Sequence, residues 1–174
     1  MQRTSELTLE VFVASPAVMA VAREDIDVLQ RRAKENARRT CRLLMHRSVD
    51  EPLHEMVIVH TKGRYIRPHK NTNSSKSYHL IAGRLACVLF SEDGAVTATH
   101  ILGEYSSGEP FMLRLAERCY HTLIPLTETA VFVETILGPF KGTPYAPWAP
   151  EEGDEPAAQA YYAQLCEHLP RGVD

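Results

Sequence analysis

After Cys41 the chain becomes a succession of short stretches rich in Val, Ile, Leu, Thr and Tyr, with no helical stretch between them. They read MVIVHT, RYIRPH, SYHLIA, RLACVLF, AVTATHILG, FMLRL, YHTLIPL and AVFVETI. TKG, AGR, SEDG, EYSSGEP and LTE lie between them and supply turn residues. SEDG at 91–94 is a hairpin signal, with Gly94 free to take positive φ. Short strands at this spacing, without intervening helices, argue for an antiparallel sandwich or barrel.

The flanks have a different texture. Residues 22–39 repeat Ile26, Leu29, Ala33 and Ala37 at three-to-four spacing, which predicts a helix. The first twenty residues read as a strand followed by a helix entry. Glu6 and Glu10 interrupt the apolar run that a secretory signal requires. From Gly138 the segment GPFKGTPYAPWAPEEGDEP is too rich in proline for a regular element and predicts an extended surface strap. A short closing helix is expected at 157–169. The expected organisation is an extension over 1–42, a barrel over 43–137 and a strap with helix over 138–174, all in one structural domain.

Composition sets limits. A net charge of −3 over 174 residues gives no global case for nucleic acid or an anionic membrane surface. Arg31, Arg32, Lys34, Arg38, Arg39 and Arg42 cluster in or just after the predicted helix, beside Glu24, Asp25, Asp27 and Glu35, and read as a solvated face. No apolar run approaches the roughly 20 residues that span a bilayer, so a cytoplasmic protein is expected. Cys41, Cys87, Cys119 and Cys166 are scattered without a C-x-x-C pair and read as reduced thiols.

Between Gly63 and Gly83 the sequence is GRYIRPHKNTNSSKSYHLIAG. Its spacing resembles the first motif of the cupins, in which Gly is followed by His-x-His, Glu and a final Gly. Gly63, His69, Asn71, Lys76 and Gly83 occupy those places. The segments PHK, YHLIAGRL, GEYSSG, YHTLIPL, ETILGPF and APWAPEEG narrow the resemblance to the WbuC-type cupin-fold metalloproteins, over roughly residues 43–155. The resemblance implies a mainly β fold, the double-stranded β-helix or jelly roll, here with an N-terminal helix and a short C-terminal one. It also implies a bacterial homodimer with a metal site in the barrel mouth, often among surface-polysaccharide functions.

Carried over by motif, the ligand positions are His69, Asn71, Lys76 and His121. A divalent transition metal such as zinc, iron, manganese or nickel suits imidazole and carboxylate. Asn71 offers only a neutral amide oxygen. Lys76 exchanges a negative charge for a positive one beside the metal position. Regular alternation turns Lys76, Tyr78 and Leu80 to the cavity and Ser77, His79 and Ile81 outward. Glu134 is expected either to offer the cavity a carboxylate or to pair with Lys76, and otherwise binds a backbone amide or an arginine. Arg67, Tyr78 and Tyr120 are further pocket candidates, and Lys76 and Glu134 are the catalytic candidates. His54 and His60 read as hydrogen-bonded structural residues, and Cys119 as a core thiol.

These residues are compatible with two functions. One is a non-enzymatic module that binds a small anionic or sugar-related metabolite, with Lys76 supplying a positive charge in place of the metal. The other is a metal-dependent sugar isomerase or epimerase that uses His69 and His121, with Lys76 as acid or base.

Overall fold

The computed structural model describes residues 4–71 and 75–169. The chain enters through β1 (Thr4–Thr8), β2 (Val11–Ala14), α1 (Arg23–Glu35), β3 (Thr40–Leu44) and β4 (Leu53–Thr61). It continues through β5 (Lys76–Ala82), β6 (Arg84–Phe90), β7 (Val96–Gly103) and β8 (Met112–Leu115). β9 (Tyr120–Pro125), β10 (Thr129–Leu137) and α2 (Glu155–Glu167) complete it. Among the described residues the strands form a seven-stranded sheet, β1-β2-β3-β4-β10-β5-β8, facing a three-stranded one, β7-β6-β9. This is the expected mainly β jelly roll with a helix at each end.

Period-two alternation divides the buried side chains among three layers. Ile58, Tyr78, Leu80, Leu85, Cys87, Leu102, Leu123 and Phe132 fill the space between the sheets. Leu29 and Ala33 of α1 pack on the outer face of the large sheet, against Phe12, Cys41, Leu43, Val57 and Val59. The outer face of the small sheet, with Ala86, Val88, Phe90 and Ile124, lies under Trp148, Tyr161, Tyr162 and Leu165. The strap and α2 therefore provide a third layer of core. Trp148 packs with its ring centroid 5.2 Å from Phe90 and 5.6 Å from Tyr120, and its indole N–H donates to the Glu92 carbonyl.

Local chemistry moves several expected boundaries. α1 ends at Glu35 rather than 39, because the Asn36 amide donates to the Arg32 and Thr40 carbonyls and turns the chain into β3. The first residues form a β1–β2 hairpin, not a single strand, and β2 runs parallel to β3. The barrel sheet therefore begins at Thr40 and continues into the extension. RYIRPH is irregular rather than a strand. Its proline lacks an N–H for a ladder, and only His69 makes an isolated bridge, to His121 and to Tyr145. The remaining expected strands are in place. Gly83 turns β5 into β6 at φ +81°, where a Cβ would lie 2.3 Å from the Thr129 carbonyl oxygen. All four cysteines are free. Among the described residues no helix is long and apolar enough to cross a membrane.

Phe132 is fully buried between the sheets while Leu7 is 69% exposed. Phe132→Ala is expected to cost about 3–5 kcal/mol and Leu7→Ala less than about 0.5 kcal/mol, read from urea unfolding midpoints.

Candidate functional site: a buried ion pair among the barrel histidines

β10 is hydrogen-bonded along both edges, and its register with β5 sets Glu134 opposite Tyr78 and Ile136 opposite Lys76. Residues diagonal across an antiparallel pair share a face, so Glu134 and Lys76 meet inside the barrel. The Lys76 ammonium donates to Glu134 Oε2 at 3.3 Å, and the lysine is only 4% exposed. As the alternation predicts, Tyr78 and Leu80 are buried with it and His79 faces outward, against the Phe111 ring at 5.4 Å. Glu134 thus pairs with Lys76, one of the roles open to it from the sequence.

His69 and His121 come together through reciprocal backbone hydrogen bonds of 3.1 and 3.0 Å, with ring centroids 4.6 Å apart. Each ring is oriented by a local carbonyl: His69 Nδ1 by Arg67 at 3.0 Å, His121 Nδ1 by Cys119 at 3.1 Å. These contacts set both tautomers, with hydrogen on Nδ1 and a lone pair on Nε2. In His121 that lone pair accepts the Tyr78 hydroxyl at 3.1 Å. The interior is therefore a polar cluster of Glu134, Lys76, Tyr78, His121 and His69, and Asn71 is buried as well.

Electrostatics follow from burial. Desolvation, reinforced by the Lys76 charge, pushes His69 down to about 4 and His121 well below the usual imidazole range. Both rings are neutral at pH 7. Burial drives the Tyr78 phenol well above its ordinary value, and the Glu134 charge adds to the rise. Burial also pushes the Glu134 carboxyl up, but an opposing set of charges led by Lys76 and including Arg42 holds it below the usual range. Burial raises the Cys119 thiol, which suits a core thiol rather than a nucleophile.

The other candidates have different settings. Arg67 donates to the Ala146 carbonyl at 3.0 Å and covers the Tyr145 ring, so it ties down the strap. Tyr120 lies on the opposite face of β9 from His121, between Trp148 and the Lys70 ammonium. His60 is buried on Thr40, as a structural histidine. His54 stacks on His46 at 4.0 Å, and its Nε2 is buried without a hydrogen-bond partner. A groove of about 710 Å³ lies outside the barrel, between α1 and the outer faces of β4, β5 and β10. It shares no residue with the histidine cluster.

Arg42 is the residue that sequence reasoning misplaced. It lies on β3 rather than a solvated helix face, paired with Ile58 of the inter-sheet core, while Cys41 and Leu43 face α1. TCRLL alternates polar and apolar through Leu43, so the pattern marks a strand but not an arginine on the inter-sheet side.

The donor set does not fit a divalent metal. His121 Nε2 is occupied by a phenol, and a buried ammonium repels a second cation from the position that the motif gives to a carboxylate. No group of three His, Cys, Asp or Glu among the described residues is arranged to hold one.

Removing one partner of the buried pair strands the other charge, so Lys76→Met or Glu134→Gln each costs about 3–5 kcal/mol, and Lys76→Met/Glu134→Gln together cost much less than their sum in a double-mutant cycle. Below its ordinary 6.5 the unfolded His69 takes a proton that the native ring refuses until about pH 4. Native stability therefore falls as pH drops through that window, by on the order of 3 kcal/mol for this ring alone. Thermal melts from pH 7 to 4 should show the fall, and His69→Gln should flatten it.

A model of a domain of unknown function (DUF6016) matches residues 21–102, which include Arg42, His69 and Lys76 but neither His121 nor Glu134. No curated protein matches the sequence. Among solved structures, a protein from Shewanella oneidensis aligns with a TM-score of 0.54 at 14% identity, covering 83% of this chain and 96% of that one. Oxalate oxidase in complex with the substrate analogue glycolate aligns at 0.52 and 11% identity, covering 78% and 69%. A cupin superfamily protein from Desulfitobacterium hafniense scores 0.44 at 9% identity, covering 56% and 76%. At such identities the likeness concerns the fold alone, a mainly β jelly roll.

Proposed function

We propose that the protein is a binding module for a small anionic or sugar-related metabolite, held in the barrel without a resident metal. The observation that carries this reading is the Lys76 ammonium, buried in the cluster with His69 and His121, with one hydrogen bond, 3.3 Å to Glu134, and the Tyr78 ring 5.3 Å away. An ammonium has three N–H donors, and the hydrogen bond to Glu134 uses one of them. His69 Nε2 adds an acceptor in the same cluster, near enough for the Lys76 charge to act on the ring. Donors beside an acceptor in a desolvated site match the carboxylate and hydroxyl of a hydroxy acid or sugar acid. The segments PHK, GEYSSG and APWAPEEG support placing the chain with the WbuC-type cupins.

Glycolate, oxalate and glucuronate serve as probes. Isothermal titration of the full chain is expected to detect at least one of them at millimolar concentration or below. Lys76→Met/Glu134→Leu, which removes both charges and leaves neither stranded, should weaken that binding about tenfold or more, the value of one charge-assisted hydrogen bond. Unchanged binding by the double variant would remove the basis of the proposal.

A further inference from the structure

The cations around the barrel differ in one respect. Lys76 is held by Glu134. Arg64 donates to the Arg38 carbonyl and lies 3.6 Å from Glu152, and Arg67 lies 3.6 Å from Glu151. Arg42 has no side-chain hydrogen bond or ion pair among the described residues. Its Nε is buried without an acceptor, as are those of Arg64 and Arg67, but their terminal nitrogens are engaged and those of Arg42 are not.

Its position is set by the sheet. Ile58, Phe132 and Leu80 stand in one row across β4, β10 and β5, all in the inter-sheet core, and Arg42 continues that row onto β3. It therefore shares the interior face with Glu134 and Lys76, with β4 separating it from β10. Its charge acts on both Glu134 and the buried His60. A desolvated guanidinium N–H without a partner costs free energy in the empty protein. Such a cost is expected where a group is kept for a ligand rather than for the fold.

We infer that Arg42 grips the anionic end of the ligand, its guanidinium fork taking a carboxylate or phosphate group while Lys76 donates to the same molecule from the far side of β4. Lys76 and Glu134 neutralise each other, so the uncompensated positive charge on this face is that of Arg42. A planar fork binds an oxyanion in two parallel hydrogen bonds, which an ammonium cannot do. The inference rests on the reading of the barrel as a binding module and narrows it to ligands with a terminal oxyanion. Neutral sugars fall outside it.

The test is isothermal titration of the full untagged chain with oxalate, glycolate and inorganic phosphate, alongside thermal melts without ligand. The wild type should bind at least one probe, and preference for phosphate or for the two carboxylates identifies which oxyanion the fork takes. Arg42→Met should weaken that binding by about tenfold or more, and Arg42→Lys should restore only part of it. In the ligand-free melt Arg42→Met should be as stable as the wild type or more so, because it removes an unpaired buried donor. Wild-type binding retained by Arg42→Met but lost by Lys76→Met/Glu134→Leu would overturn the role of Arg42 and leave the binding module standing. Retention by both variants would overturn both. A wild type that binds none of the three probes, or a lower melting temperature for Arg42→Met, would also overturn the inference.

Discussion

Strand β10 is paired on both sides, with β4 along its whole length and with β5 over most of it, and the contents of the barrel depend on that register. Because side chains alternate with period two, a slip of one residue would turn Glu134 to the outer face and leave Lys76 buried without a counter-charge. Burial of Phe132 and Val131 on opposite faces of the same strand makes the slip costly twice over, since one side chain belongs to the inter-sheet core and the other to the layer under α1. The ion pair is thus positioned by hydrophobic packing on both sides of a single strand.

This register changes how the barrel balances charge. In the motif that this sequence resembles, a carboxylate and imidazoles surround a cation. Here the cation is covalently attached, as the Lys76 ammonium, and the carboxylate comes from β10 instead of the motif strand. The histidines remain, neutral, with His121 closed by Tyr78 and His69 leaving one ring nitrogen open. Keeping the geometry of a site while internalising its charge suits recognition of a ligand better than polarisation of one.

Much of this was legible in the sequence because it depends on local pattern. Strand alternation was enough to turn Lys76 and Tyr78 inward and His79 outward, and the sequence offered Glu134 as a partner of Lys76. The helix end at Glu35 was not legible, because it depends on one asparagine amide reaching Thr40, a contact formed only once β3 is in place. The hairpin at the N-terminus was missed for a similar reason: its strands are short, and β2 becomes a strand through parallel pairing with β3. Arg67 and Tyr120 were drawn toward the site by their nearness in sequence to His69 and His121, whereas the strap claims both. Arg42 was hidden by the opposite effect, because a run of basic residues in the preceding helix disguised a strand position.

If the Lys76–Glu134 pair stands where a metal ion would, the wild type should refuse a metal that a restored motif accepts. Elemental mass spectrometry measures this directly, on untagged wild type and on Asn71→His/Lys76→Glu, each incubated with zinc, iron, manganese and nickel and then desalted. The expected result is no stoichiometric metal in the wild type and near one equivalent per chain in the variant, which regains the motif's histidine and carboxylate. One equivalent in the wild type, lost in His69→Ala and His121→Ala, would contradict it.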